Sequence, residues 1–366
     1  MSELDEVLAA LEAPTGDDTT LATVIGVRGS TYRREGARLV IPAEGDTVGN
    51  ISGGCLEGDV VQTAREVLAS GTPEVRHFDL TADDEAVWGW GLGCNGAIDV
   101  RVEPATAARP VVAALRAARR EDRAVALVTI VEGPRTGARV IVHPDGSTEG
   151  DLGEGARTAA LDALASGRSA TVALEPDGVR AFVEVLEPPL RLVVCGAGHD
   201  AIPVVEFGAR LGWRVEVGDD RRPFLNDKRF PRASRLVYSQ PGAAAEAVEP
   251  DARTYVVVMS HNFLRDAAYL RSFLPSRVPY LGMLGPGARL ERLLDSLAAE
   301  GFPRPAEADL ARVHGPAGLD VGAEGPEEIA WAIVAEVLAV HRRAGAGFLR
   351  DRGGPIHPRA AMETVA

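Results

Sequence analysis

The clearest hydrophobic pattern in the chain is a short apolar run at residues 190–195, which a glycine closes. A run of this length between turn residues is typical of a strand that is buried on both faces. Apolar positions then recur at helical spacing over residues 202–211, and residues 213–217 are typical of a second strand, which ends before Asp219 and Asp220. The pattern predicts a strand, a helix and a second strand, the usual beginning of a doubly wound parallel sheet.

The alternation of strands and helices continues through the second half of the chain. Apolar runs at residues 235–238, 255–259 and 279–284 predict three more strands, and the last predicted helix begins at Pro326. The carboxyl ends of parallel strands face the ligand crevice of such a sheet. We therefore expect four residues that follow predicted strands to lie around one site: Gly196, Asp219, His261 and Gly285.

The first half of the chain predicts a separate α/β unit. An amphipathic helix at the N-terminus precedes strands at residues 20–27 and 37–41, and a helix with an apolar face follows Cys55 and ends at Gly71. The proline pair in Glu187-Pro188-Pro189 marks a stiff linker. We expect an N-terminal α/β domain in residues 1–187, a Rossmann-type doubly wound parallel sheet in residues 188–345, and a disordered tail in residues 346–366.

Composition and charge narrow the possible functions. The 366 residues are 46% hydrophobic and carry a formal net charge of −14, which argues against binding to nucleic acid or to an anionic membrane surface. No apolar run approaches the ~20 residues of a membrane helix, and the acidic N-terminus does not resemble a signal peptide. Three cysteines without a CxxC pair predict a reducing compartment, and we expect the cytoplasm.

The turn after the first strand of the second domain has the sequence GAGHDA, a G-x-G-x-x-A pattern. In dinucleotide-binding folds such a turn holds the pyrophosphate: Gly196 permits the tight turn, Gly198 lets backbone N–H groups approach beside His199, and Ala201 allows close helix packing. Asp219, 23 residues after Gly196, would then bind a ribose hydroxyl. The same pattern also fits a doubly wound unit without a nucleotide, in which Asp219 is a solvated turn acid.

Two glycine-rich segments of the first half each present a cysteine. Ser52, Gly53 and Gly54 deliver Cys55 to the start of a predicted helix, where the helix dipole favours the thiolate, although Glu57 and Asp59 in the same turn oppose that effect. Cys94 lies in the centre of the segment GLGCNG. Both cysteines are candidates for a reactive or metal-binding sulfur. The alternatives are that Cys55 only packs the turn and that Cys94 belongs to a plain glycine-rich hairpin.

Two adjacent arginines, Arg33 and Arg34, lie in a loop between predicted strands. A guanidinium group matches the oxygen geometry of phosphate or carboxylate, so the pair is a candidate anion clamp. Spacing alone fits a solvated hairpin tip better.

Taken together, these motifs resemble the XdhC/CoxI family, accessory proteins for molybdenum hydroxylases such as xanthine and carbon monoxide dehydrogenases. The matching segments are GSTYRREGARLVI, GNISGGCLEGDV, GLGCNG, VVCGAGHDA, the SHN that contains His261, and HGPAGLDVGAEGPEEIAWAI. The family's second cysteine motif usually reads GCGG, whereas Asn95 replaces a glycine here.

The resemblance implies a chaperone that binds molybdenum cofactor, protects it during terminal sulfuration and passes it to an apo-hydroxylase. It implies a cysteine desulfurase as a second partner, and we expect a homodimer. Cys55 and Cys94 would contact the metal or carry sulfur, and Arg33 and Arg34 would hold the cofactor's phosphate. The turn at Gly196 would bind a dinucleotide form of the cofactor, or a separate NAD(P) or FAD.

Two other functions remain open at this point. An NAD(P)-dependent oxidoreductase would use His261 as a proton donor, but it has no evident need for two glycine-flanked cysteines. A nucleotide-sensing interaction module would need only the turn and Asp219.

Overall fold

The computed structural model describes residues 3–13, 18–54, 56–79, 95–176 and 178–353. The described chain divides into two compact units, Glu3–Pro188 and Pro189–Arg352, and each is described here by itself. Cys55, Cys94 and residues 354–366 of the predicted tail lie outside the described residues. Within the described part of the predicted tail, Leu349–Asp351 forms a 3-10 turn.

The first unit contains two antiparallel sheets of five strands each. The first sheet has the strand order β3-β2-β1-β5-β4. Its helix α2 packs Val60 and Val67 against Val24 and Val100 of the sheet, and Gly71 ends that helix with a φ of +67°, as the sequence predicts. The elements are α1 (Glu3–Leu11), β1 (Thr19–Ser30), β2 (Arg38–Pro42), β3 (Val48–Gly49), α2 (Glu57–Ser70), β4 (Glu74–Asp79) and β5 (Asn95–Pro104).

The second sheet of this unit has the strand order β8-β7-β6-β10-β9. Helix α4 packs against it through Ala156 and Ala160, whose small side chains allow a close approach to Val128 and Ala181. The elements are α3 (Ala105–Glu121), β6 (Val125–Glu132), β7 (Arg139–Val142), β8 (Thr148–Glu149), α4 (Glu154–Ser166), β9 (Ala170–Leu174) and β10 (Val179–Leu186).

Buried ion pairs join the two sheets of the first unit. Arg38 of β2 donates to both carboxylate oxygens of Glu184 on β10, at 2.6 and 2.7 Å. Arg139 of β7 donates to both oxygens of Glu103 on β5, at 2.7 Å each. The N-terminal unit therefore depends on charge pairing as well as on its apolar clusters.

The second unit is a parallel sheet with the strand order β13-β12-β11-β14-β15-β16, which is the order of the dinucleotide-binding Rossmann fold. The elements are β11 (Arg191–Cys195), α5 (Ala201–Arg210), β12 (Arg214–Asp219), β13 (Arg235–Tyr238), α6 (Ala244–Val248), β14 (Thr254–Val258), α7 (Phe263–Phe273), β15 (Tyr280–Met283), α8 (Gly287–Ala299), α9 (Glu307–Leu310), β16 (Val313–His314) and α10 (Pro326–Arg342). The predicted α/β fold with a Rossmann-type second domain is confirmed.

Helices cover both faces of the parallel sheet. Val205 of α5 and Ile333 of α10 pack in one apolar cluster, and Leu270 of α7 and Leu294 of α8 pack in another. The central strands are buried on both sides for this reason, which explains their continuous apolar sequence. Among the described residues, no helix combines the length and the apolar character needed to cross a membrane.

Candidate functional site

The glycine turn between β11 and α5 is built by close backbone packing. Gly196 has a φ of +115°, and a Cβ atom there would lie 2.8 Å from the backbone of Met259 and from the Cα atom of Ser260. The Gly196 N–H donates to the Gly218 carbonyl oxygen at 2.8 Å, and Ala201 is fully buried where α5 begins. The turn therefore crosses the ends of β12 and β14 at a distance that only glycine permits.

Asp219, at the tip of β12, is tied to this turn. Its Oδ2 atom accepts hydrogen bonds from the Ala197 N–H and from Arg221, both at 2.7 Å, and its Oδ1 atom accepts from the Arg221 N–H and Nε at 2.8 and 2.9 Å. Burial alone would raise the pKa of Asp219, but the Arg221 side chain and the two backbone N–H groups lower it to about 2. In this arrangement the carboxylate holds the turn, and its acceptor sites are already filled.

The Asp219 charge is expected to stabilise the second unit at neutral pH. The folded pKa of about 2 lies below the unfolded value of about 3.9, so the contribution is present above about pH 4 and is lost as the pH falls toward 2. We expect Asp219→Asn to lower the free energy of unfolding by about 1–2 kcal/mol at pH 7, allowing for the partly exposed Arg221. Urea unfolding at pH 7 and pH 2.5 measures this, and a difference that persists undiminished at pH 2.5 contradicts it.

Asp200 is a site residue that the sequence analysis missed. Its Oδ2 atom lies 2.5 Å from the Nε2 atom of His261, and a Cβ atom on Gly198 would lie 2.5 Å from its Oδ1 atom. His261 has a φ of +56° and an exposed side chain, and His199 is exposed in the same turn. The glycine turn and His261 therefore lie close together, as the sequence predicts, and the Asp200 carboxylate lies beside Gly198.

A second polar cluster follows β14. Asp266 is buried, and its Oδ1 atom accepts a hydrogen bond from the Ser260 hydroxyl at 2.5 Å. Its Oδ2 atom accepts from Arg289 at 2.7 Å. Gly285, after β15, has a φ of +115°, and a Cβ atom there would lie 2.8 Å from Cδ of Arg289. The cluster follows β14, which pairs with β11, and Gly285 follows β15, which pairs with β14.

A cavity of about 570 Å³ opens at the carboxyl end of β15. Residues 284–286 and the loop at residues 316–323 line most of it. Glu336 of α10 anchors the start of this loop, because it accepts hydrogen bonds from the Tyr280 hydroxyl at 2.6 Å and from the Gly318 N–H at 2.8 Å. Burial raises the pKa of Glu336, but His314 and these hydrogen bonds lower it overall. The segment that begins at His314 is thus held by the half-buried Glu336 carboxylate.

In the first unit, Ser52 organises the predicted cysteine turn. Its hydroxyl donates to Glu57 at 2.5 Å and accepts from the N–H groups of Gly54 and Leu56, at 3.1 and 3.3 Å. Gly53 and Gly54 are exposed, and a Cβ atom on Gly53 would lie 4.0 Å from Tyr32. The turn that precedes α2 and the loop after β1 therefore lie side by side.

The two arginines of the loop after β1 have structural contacts. Arg33 forms a bidentate pair with Glu3 of α1, at 2.8 and 2.9 Å. The Arg34 carbonyl accepts the Ala37 N–H at 3.1 Å and closes the turn before β2. An anion at Arg33 would have to compete with Glu3.

Of the three cysteines, only Cys195 lies within the described residues. Cys195 is buried at the end of β11, and burial raises the pKa of its thiol far above the usual value. Cys55 and Cys94 lie outside the described residues, so their predicted roles stay predictions. Among the described residues, histidine, cysteine and acidic side chains form no group of three that could hold a metal ion.

The chain is an α/β protein whose second unit has a Rossmann-type parallel sheet with a glycine turn after β11. An α/β unit with antiparallel sheets precedes it in the sequence. Residues 192–337 match the XdhC Rossmann domain, and residues 13–79 and 118–175 match the XdhC and CoxI family. The chain belongs to the XdhC and CoxI family.

Relatives support this membership over nearly the whole chain. A Bacillus subtilis (strain 168) protein, named as a probable subunit of xanthine dehydrogenase, is 30% identical, over 89% of this chain and 94% of its own. The Escherichia coli (strain K12) molybdenum cofactor insertion chaperone PaoD is 23% identical, over 89% of this chain and 84% of its own. A crystal structure of a Bacillus halodurans xanthine dehydrogenase has a TM-score of 0.78 and 28% identity, over 94% of this chain and 96% of that one.

Proposed function

We propose that this protein is an accessory factor of a molybdenum hydroxylase, which binds molybdenum cofactor and delivers it to the apoenzyme. The name of PaoD, a molybdenum cofactor insertion chaperone, and that of the B. subtilis relative, a probable subunit of xanthine dehydrogenase, support this role. The cofactor is cargo here, and the protein's own residues bind, shield and release it.

The observation that carries the proposal is the turn before α2. Ser52 fixes it, Gly53 and Gly54 leave it open, and, chain neighbours aside, no atom of the described residues lies within 4 Å of a Cβ placed on Gly54. Tyr32, which is 66% exposed, lies beside it as an aromatic surface. The sequence places Cys55 directly after Gly54. A thiolate is a soft ligand that suits molybdenum, and it can also carry sulfur.

Unpaired acceptors near this turn suit a ligand with N–H groups. The Oε1 atom of Glu57 and the Oδ1 atom of Asn50 are buried and have no hydrogen-bond partner among the described residues. A buried acceptor without a partner is unfavourable by about 1–3 kcal/mol, so a ligand donor would remove that penalty. A pterin ring carries N–H and amino donors along one edge. The turn thus offers sulfur for a metal, oxygens for a ring edge and an aromatic surface for a ring face.

The proposal includes partners. The protein would receive sulfur for the cofactor from a cysteine desulfurase, with Cys55 or Cys94 as the relay, and would act as a homodimer on an apo-hydroxylase. Cys94 would be the second sulfur contact, and the nucleotide-type turn at Gly196 would bind the nucleotide part of a dinucleotide cofactor.

We expect Cys55→Ala to abolish retention of pterin and activation of a client hydroxylase without unfolding the protein. Protein purified from cells with an intact cofactor pathway would be oxidised, and its released pterin measured by fluorescence and mass spectrometry. Cys195→Ala is the matched control, because that thiol is buried at the end of β11 and should not affect cofactor. Undiminished pterin content and client activity in Cys55→Ala would rule out the sulfur role.

An NAD(P)-dependent oxidoreductase is the second candidate. The observation that favours it is the exposed His261 at the end of β14, with Asp200 at 2.5 Å to orient its ring. The same mass spectrometry separates the two functions, because a released nicotinamide nucleotide without pterin would support the oxidoreductase.

A further inference from the structure

The acid at the tip of β12 cannot accept a ribose diol as the structure stands. In dinucleotide-binding folds an acid at this position accepts the ribose hydroxyls, whereas a nearby arginine accommodates a 2′-phosphate. Asp219 is 2% exposed and accepts four hydrogen bonds, one from Ala197 and three from Arg221. Two carboxylate oxygens offer about four acceptor sites, so none is left for a hydroxyl.

Arg222, three residues after Asp219, carries a second guanidinium group. Arg222 follows Arg221 directly, and its guanidinium carbon is 4.0 Å from the centre of the Tyr238 ring. Tyr238 is the last residue of β13 and is 48% exposed. Within the described part of the chain Arg222 forms no ion pair, so its donors are available while the ring contact holds the side chain in place.

The surrounding segment is cationic in a chain that is acidic overall. Arg229 donates to the carbonyl oxygens of Ala197 and Gly198 at 3.0 and 3.1 Å, and Lys228 beside it is the only lysine of the chain. Phe224 lies between the guanidinium groups of Arg221 and Arg229, at 4.4 and 5.1 Å. Residues 219–229 carry four basic side chains and three acidic ones, Asp219, Asp220 and Asp227, so this segment has a small positive net charge.

Two acids of this edge lie close to cations. Asp220 lies 3.3 Å from Arg265, although its Oδ1 atom accepts no hydrogen bond from the described residues, and Asp200 pairs with His261. Ser239, which follows Tyr238, is 9% exposed, and its hydroxyl has no hydrogen-bond partner in the part of the chain that the structure describes. A buried hydroxyl without a partner at the tip of β13 is a further donor for a phosphate or an adenine ring.

We infer that the second unit binds an adenine dinucleotide that carries a phosphate on the adenosine ribose, of the NADP type, and that Arg222 recognises that phosphate. This binding would use the turn at Gly196, which the proposed function assigns to the nucleotide part of a dinucleotide cofactor, so the two ligands would compete for that turn. An arginine–phosphate hydrogen bond involves two charged groups and would be worth about tenfold or more in affinity.

Calorimetry with the full chain tests the inference through four ligands: NADPH, NADH, 2′,5′-ADP and 5′-AMP. We expect NADPH and 2′,5′-ADP to bind about tenfold or more tightly than NADH and 5′-AMP at low salt, with a preference that weakens as salt is added. Arg222→Ala should remove the preference and leave the affinity for NADH and 5′-AMP unchanged.

Arg277→Ala is the matched control. It removes the same charge from an exposed position just before β15, at the amino end of the parallel strands, and should keep the preference. Equal affinity for NADPH and NADH, a preference that survives in Arg222→Ala, or no binding of any of the four ligands would each overturn the inference. Pterin retention is measured independently, so failure here leaves the cofactor proposal standing, and the reverse also holds.

Discussion

Replacing Glu184 with alanine is expected to lower the free energy of unfolding of the first unit by about 3–5 kcal/mol. Glu184 and Arg38 are each only 6% exposed and are joined by two hydrogen bonds of 2.6 and 2.7 Å. Without the carboxylate, Arg38 would keep only its bond to the Gly36 carbonyl, and its Nε atom already has no partner. The variant therefore leaves a nearly unpaired charge between two sheets.

The control is Glu132→Ala, which breaks an exposed pair with Arg180 at 2.9 Å. Its side chain is 67% exposed, and exposed pairs contribute about 0–1 kcal/mol. Amide hydrogen exchange in β1 and β10, combined with urea unfolding, measures the unfolding of the first unit separately from that of the second. The double variant Arg38→Met/Glu184→Leu should recover most of the loss, since it removes both charges. Similar losses in Glu184→Ala and Glu132→Ala would contradict the expectation.

The fold of the second unit is predictable because its central strands are buried on both faces. Strands such as β11 and β14 then read as unbroken apolar runs, and the glycine turn marks where one of them ends. The sixth strand, Val313–His314, has only two residues and leaves no such run. The sequence predicts a strand at residues 20–27 in the first unit, but β1 extends to Ser30, because pairing with β5 continues past the apolar positions at Arg28 and Gly29.

The partners of the site residues were much harder to predict. The glycine turn and the position of Asp219 follow from spacing, but Asp200 and His261 are 61 residues apart and are joined only by the packing of β14 beside β11. Likewise, Arg33 pairs with Glu3 on a helix 30 residues away. One signal was available. Arg221 lies two residues after Asp219, close enough to fold back onto its carboxylate and to fill acceptor sites that a ribose hydroxyl would need.

Replacing Gly196 with alanine is expected to destabilise the second unit by about 3 kcal/mol or more. The new Cβ atom would meet the backbone of Met259 and Ser260 at 2.8 Å, and the φ of +115° is unfavourable for any residue with a side chain. These contacts are to backbone, which cannot rotate away, so β14 would have to move from β11.

Gly198→Ala separates this structural role from ligand binding. Its Cβ atom would meet the Oδ1 atom of Asp200 at 2.5 Å, and that is the end of a side chain that can turn aside. We expect a loss of less than about 1 kcal/mol in the free energy of unfolding together with a broken Asp200–His261 pair.

Gly198→Val should additionally block a pyrophosphate at the turn, since its branched side chain would occupy the approach to the N–H groups. Hydrogen exchange in β11 and β14 measures the first effect and nucleotide calorimetry the second. If Gly196→Ala proves as stable as Gly198→Ala, the close backbone contact at Met259 does not determine the turn. If Gly198→Val binds nucleotide as well as the unchanged chain does, the turn is not the phosphate site.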